Sequence, residues 1–280
     1  MRRQTVSFDD VLLVPQMSDI TSRSQVDISS KLGSREFSLP ILSSPMDTVT
    51  GGAMTWTMGS MGGLGVLHRY CSIDDQVDMA HDKSAVAVGV TGDYLDRIDT
   101  LKQFGIKIFC LDVAHGHHKL MKDALHEIRS RHGDSITIIA GNVATSQGYA
   151  DLSAWGADAV RIGIGGGSIC STRIQTGHGV PTFQSVLDCR DVDGATIIAD
   201  GGIRTAGDIV KALAAGADFV MLGSMLAGTD QSPGDVFLNN EGKKYKVYRG
   251  MASVEAQKDW RGEAKSLEGI STTIPYKGSV

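Results

Sequence analysis

Cysteine is scarce in this sequence: Cys71, Cys110, Cys170 and Cys189 are the whole set, with no C-x-x-C and no metal-ligand spacing. That argues against a disulfide framework or a zinc-ribbon scaffold and points to free thiols in a reducing compartment. Long apolar runs are lacking too, none approaching the ~18 residues of a membrane-crossing helix. Met1-Arg2-Arg3 leads into polar residues rather than the apolar stretch of a secretory leader. Lys and Arg form no block and the formal net charge is −5, which makes a nucleic acid or an anionic membrane a poor main partner. The expectation is a soluble, cytoplasmic protein.

Glycine, by contrast, is plentiful at 34 residues, and its placement punctuates a regular pattern. Short apolar runs at 107–112, 136–140, 159–164, 195–199 and 219–222 each end in glycine or polar residues. Amphipathic stretches lie between them, one to about 131, one to about 155, one over 206–215. Runs at 39–42, 64–68 and 85–90 bring the strands to eight. Strands this continuously apolar are buried on both faces, as in a parallel sheet. One junction repeats: Gly156-Ala157-Asp158-Ala159-Val160 is echoed by Gly216-Ala217-Asp218-Phe219-Val220, where glycine ends a helix before the next strand.

Eight such units in 280 residues fit one (β/α)8 TIM barrel, a fold commonly of ~250 residues, as a single domain over 1–280. An open doubly wound sheet is the competitor, because βαβ spacing alone does not close a barrel. Both place the chemistry at the C-terminal ends of the strands. Residues 239–280, rich in Lys and Gly, stand apart as an excursion with no obvious helix-strand period.

The strongest chemical signal follows the sixth strand: Gly163-Ile164-Gly165-Gly166-Gly167-Ser168-Ile169-Cys170-Ser171-Thr172-Arg173. Glycines let backbone approach a ligand, and successive N–H groups in such a loop cradle an oxyanion. A cysteine in that loop is placed for nucleophilic attack, with Arg173 and the loop N–H groups favouring the thiolate. A cysteine that only packs belongs inside a strand, as expected of Cys110. The bland alternative is a turn with an incidental cysteine. Asp200-Gly201-Gly202 and Gly223-Ser224 follow strands seven and eight, where barrel enzymes often hold phosphate, and Asp200 suits a ribose diol. Tight turns are the alternative there. His115, His117 and His118 crowd one strand end without a carboxylate or cysteine at ligand spacing, and His178 reads as a solvated loop residue.

Taken together, Ser43-Ser44-Pro45-Met46-Asp47, Asp112-Val113-Ala114-His115-Gly116-His117, Ala140-Gly141-Asn142-Val143, the cysteine loop, Ala199-Asp200-Gly201-Gly202-Ile203, Leu222-Gly223-Ser224-Met225-Leu226-Ala227-Gly228 and Tyr248-Arg249-Gly250-Met251 resemble the IMP dehydrogenase and GMP reductase family over nearly the whole chain. The resemblance implies that Cys170 attacks C2 of a purine nucleotide, with Thr172 and Glu268 as the proton-transfer pair. It implies that Ser168, Asp200, Gly201, Gly202, Gly223, Ser224, Tyr248, Gly250, Met251 and Gly269 hold the nucleotide. Ser22, Arg23, Arg69, Asp112, Val113 and Ala114 match cofactor-contacting positions, and a basic group among them suits the 2′-phosphate of NADPH. The carbonyls of Gly165, Gly167 and Cys170 match a potassium site, although Gly166 replaces the usual proline and should loosen the loop.

Within that resemblance the reductase branch is favoured. Leu67-His68-Arg69-Tyr70 runs to the third strand with no room for an inserted regulatory domain, and 251–269 is short and contains no Arg-Tyr pair. Val113 and Thr176-Gly177 are also the reductase form. Gly228-Thr229-Asp230-Gln231-Ser232-Pro233-Gly234 and the DGGI run look like the dehydrogenase, which oxidises IMP with NAD to XMP. A catalytically idle nucleotide sensor is a third possibility. The family also continues past Pro275-Tyr276-Lys277-Gly278 into an eighth helix, so the last strand is expected to lack its cover unless another segment or a partner in a homotetramer supplies it.

Overall fold

The computed structural model describes residues 4–264 and 269–280. A small hairpin of β1 (Ser30–Leu32) and β2 (Arg35–Phe37) precedes eight strands. These are β3 (Ile41–Ser43), β4 (Leu64–Leu67), β5 (Ala85–Val88), β6 (Ile108–Asp112), β7 (Thr137–Val143), β8 (Ala159–Ile162), β9 (Thr196–Asp200) and β10 (Phe219–Leu222). Every neighbouring pair is parallel, and β10 bonds to both β9 and β3. The sheet therefore closes into a barrel, which removes the open-sheet alternative. The eight apolar runs found in the sequence coincide with these strands to within a few residues.

Helices α1 (Gly52–Ser60), α2 (Ile73–Met79), α3 (Tyr94–Gln103), α4 (Lys119–His132) and α5 (Ser146–Ala154) make the first crossovers. A short α6 (Thr172–Thr176), α7 (Thr182–Cys189) and α8 (Ala206–Ala214) make the rest. In α4 the buried residues Met121, Ala124, Leu125 and Ile128 recur at i, i+3, i+4 and i+7, which lays one stripe on the barrel. Thr205 caps α8 in a reciprocal box with Asp208, and Thr145 caps α5 through the Gly148 N–H. The repeated Gly-Ala-Asp junction has a use beyond its glycine. Asp158 accepts a hydrogen bond from the Ile138 N–H at 2.6 Å, and Asp218 accepts one from the Ile197 N–H at 2.7 Å, so each aspartate clips its strand to the one before.

Strand side chains divide between two apolar clusters. Leu42, Leu64, Val66, Ile139, Ile198 and Met221 fill the barrel, and Leu32 and Phe37 of the hairpin close its lower end, Phe37 edge-to-face on Phe219 at 5.7 Å. The outward residues meet the helices. After β10 the chain runs in turns to a three-stranded antiparallel sheet of β11 (Phe237–Leu238), β12 (Lys244–Arg249) and β13 (Ser271–Pro275), with α9 (Val254–Arg261) between the last two. Residues 239–280 hold antiparallel strands and a helix rather than a further strand-helix unit of the barrel, and β10 is covered by another segment of the chain. Its outward Val220 and Leu222 are 0% and 3% exposed, clustered with Val49, Leu226 and Ala227. The 223–233 segment is stitched to the residues just past β13, Lys277 N–H donating to Gly228 O at 2.9 Å and Asp230 N–H to Gly278 O at 2.8 Å.

Candidate active site

The cysteine loop leaves β8 through Gly163, whose φ of 144° suits glycine; a Cβ there would lie 2.0 Å from the Asp200 carbonyl oxygen. The loop is thus pressed against the turn after β9. Gly166 is also constrained, since a Cβ would meet Thr182 Oγ1 at 2.4 Å. Cys170 sits half-buried, its N–H bonded to Gly167 O at 3.1 Å and its Sγ 3.3 Å from Thr172 Oγ1. The far side of the loop is laced to the C-terminal excursion: Ile270 N–H donates to Ile169 O at 3.2 Å, and Cys170 bridges Gly269.

These groups open onto a cavity of about 340 Å³ at the C-terminal ends of the strands. Ser168, Cys170 and Thr172 line it, with Asp200, Gly201 and Gly202 from the β9 turn, Gly223 and Ser224 from the β10 turn, and Tyr248, Gly250, Met251 and Gly269 from the excursion. Arg69, Asp112, Val113 and Ala114 also line it, as do Gly165 and Gly167. Eight-strand closure gathers residues that are up to two hundred positions apart in sequence. Ser22 and Arg23 are not brought in; they form an exposed turn at 23–25 and do not line the cavity. Glu268 lies outside the described residues.

Tyr248 is buried and its hydroxyl pairs with the Ser168 side chain beside Gly223. Burial pushes its hydroxyl up to about 12, so it stays protonated at neutral pH. Asp200 Oδ2 accepts from Asn142 Nδ2 at 2.8 Å, from Arg161 Nη2 at 2.8 Å and from Arg161 Nε at 3.2 Å. Arg161 Nη1 in turn donates to Asp112 Oδ1 at 2.5 Å, and Arg69 Nε stands 4.0 Å from Asp112 Oδ2. In the sequence Asn142 stands in a family motif without an assigned role, and Arg161 is not singled out. The available signal was a lone arginine within an otherwise apolar strand.

The excursion is clamped over this cavity. Arg249, at the end of β12, donates from Nε and Nη2 to Asp47 Oδ2 at 2.9 and 2.6 Å and from Nη1 to Asp259 of α9 at 2.5 Å. Trp260 stacks on Tyr70 at 6.2 Å, and Arg69 and Arg261 lie over the Tyr70 ring. The histidines divide by role: His117 Nε2 pairs with Asp151 at 2.7 Å, His118 caps α4, and His178 is exposed. No helix among the described residues is long and apolar enough to cross a membrane.

A family model described as IMP dehydrogenase / GMP reductase domain matches residues 5–280. The inosine-5′-monophosphate dehydrogenase of Nitrosopumilus maritimus is 33% identical over 424 aligned positions, which cover 99% of this chain and 89% of that protein. The GMP reductase of Phytophthora infestans is 38% identical over 294 positions, covering 98% and 81%. That of Streptococcus agalactiae is 37% identical over 278 positions, covering 97% and 83%.

Proposed function

The chain belongs to the IMP dehydrogenase / GMP reductase family, and on that premise we propose that it is a GMP reductase, converting GMP and NADPH to IMP, ammonia and NADP⁺. The observation that carries the choice of branch is the plainness of two connections. β4 reaches β5 through the single short helix α2, and β12 reaches β13 through a segment with no Arg-Tyr pair to activate water. Alignment length supports this reading: two reductases align over 278 and 294 positions, near this chain's 280 residues, and dehydrogenases over 338, 351 and 424.

In this reading the phosphate lies on Gly202, Gly223 and Ser224 with the Tyr248 hydroxyl as a donor, and Asp200 accepts from the ribose. Gly201, Gly250, Met251 and Gly269 enclose the base. The Cys170 thiolate adds to C2, and the 2-amino group takes a proton through Thr172 and Glu268 and leaves as ammonia. Arg69 and Asp112 to Ala114 would hold NADPH, whose chemistry would be hydride delivery to C2; Cys170 would then leave as the thiolate and IMP would be released. Covalent capture divides one hard displacement into two easier steps. The Gly165, Gly167 and Cys170 carbonyls suit a monovalent cation such as potassium, being neutral oxygens, and Gly167 O keeps a lone pair beyond its bond to the Cys170 N–H.

The dehydrogenase reading draws on the DGGI and GTDQSPG runs and on relatives such as the Nitrosopumilus enzyme. One spectrophotometric experiment separates the two. Loss of NADPH absorbance with GMP supports the reductase; gain of NADH absorbance with IMP overturns it. No turnover with either pair leaves the nucleotide sensor standing instead.

A further inference from the structure

Arg161 is a fully charged side chain at the top of an apolar barrel, and it is only 7% exposed. Strand register explains how it reaches two acids at once. Asp112 pairs with Gly141 across β6 and β7, and Gly141 pairs with Arg161 across β7 and β8. Gly141 therefore lies between them and offers no side chain to bar the guanidinium. A Cβ on Gly141 would sit 2.6 Å from Arg161 Cβ.

The fork is divided. Nη1 serves Asp112, while Nη2 and Nε serve Asp200. Below them Nη1 also approaches Cys110 Sγ at 3.6 Å, a thiol that burial pushes up to about 12 and so leaves uncharged. The counter-charges of Arg161 are thus the two aspartates. With Arg69 beside Asp112 the wall reads Arg69, Asp112, Arg161, Asp200, alternating in sign.

We propose that Arg161 is a positioning residue that couples the ribose subsite to the cofactor subsite. This rests on the reading above, in which Asp200 takes the ribose hydroxyls and Asp112 faces the cofactor. Three hydrogen bonds occupy Asp200 Oδ2, leaving Oδ1 as the oxygen that accepts from a hydroxyl. Arg161 fixes which oxygen that is and how the carboxylate is turned. The guanidinium is planar and rigid, so any shift that improves its bond to one aspartate alters its bond to the other. A ligand that draws on Asp200 therefore changes what Asp112 presents, and linkage makes the effect reciprocal. Lysine cannot substitute, because a compact ammonium lacks the planar fork that serves both acids.

The test is calorimetric binding of GMP and 2′-deoxy-GMP to the intact protein, each with and without NADP⁺, which cannot reduce GMP. Wild type, Arg161→Lys and Arg161→Met are compared, and Arg161→Lys is the variant to read if Arg161→Met does not fold. Wild type is expected to prefer GMP over the deoxy form by about tenfold or more, the cost of leaving a buried polar partner unmet. NADP⁺ should change GMP affinity by about fivefold or more in wild type. In both variants the ribose preference and the coupling should fall to within about twofold of unity. A merely structural arginine would lower melting temperature while leaving those two ratios in place, and that result overturns the proposal. So does a wild type that binds GMP without ribose preference. A wild type that binds no purine nucleotide overturns the functional reading as well, which distinguishes the two failures.

Discussion

At the scale of single residues, the chemistry converges on one thiol with a hydroxyl 3.3 Å away. The groups proposed to hold the nucleotide are separate from it: Asp200 is fixed by Asn142 and Arg161, and Tyr248 by Ser168. Removing the sulfur should therefore remove turnover without emptying the cavity. Cys170→Ala is expected to show no detectable NADPH oxidation with GMP while binding GMP within a few-fold of wild type, by calorimetry. A tenth of wild-type activity in that variant would end the case for covalent catalysis. Gly166 answers at this scale as well. The family resemblance reads it as a lost proline, which should loosen the loop; a Cβ at this position would meet Thr182 Oγ1 at 2.4 Å. On its far side the loop is laced to Gly269 and Ile270.

At the scale of elements, Arg249 joins three parts: β12, the loop after β3 through Asp47, and α9 through Asp259. Arg249→Met leaves the mostly buried Asp47 without its partner, and stability should drop by roughly 2–4 kcal/mol, read by denaturant unfolding. Cleavage by a protease within α9 should quicken in the folded protein. An unchanged cleavage rate would show that the excursion is held by other contacts. The barrel was legible in the sequence, while this excursion was not, and the reason is physical. Strands β4 and β5 are buried at every position, so hydropathy alone marks them. In β12 the inward residues are Lys246 and Tyr248 while Val247 faces water, which inverts the usual alternation. Lys246 is tolerated inside because its ammonium donates to the carbonyls of Thr229 and Ser232 at 3.0 and 2.5 Å. Such a partner set is tertiary, and no local pattern announces it. The site divides the same way: Cys170, Asp200 and the glycine turns stand out in sequence, whereas Arg161 matters only once Gly141 is known to lie beside it.

At the scale of the whole molecule, two responses follow from burial. His68, His115 and His132 all have their ionisation moved below the usual 6.5, burial being the largest cause in each. Each folded site resists a proton that the unfolded chain accepts, so stability is present above about pH 6.5 and is lost as pH falls below it. The melting temperature should decline from pH 7.5 to pH 5.5, and His68→Asn should flatten that slope; a flat wild-type profile would refute the account. The second response concerns surface. Burial of Val220 and Leu222 within the chain removes the original reason to expect a partner, but the N-terminal segment supplies another. Leu12 is 86% and Met17 92% exposed, with Leu13, Val14 and Ile20 also exposed nearby. Soluble monomers rarely carry a contiguous apolar patch beyond a few hundred Å². A second copy of the chain is the occupant we expect there, in a homotetramer. Light scattering at micromolar concentration should give four times the chain mass, and Leu12→Asp combined with Met17→Asp should reduce it. A fully active monomer of the unaltered chain would show that this apolar N-terminal segment has no part in assembly.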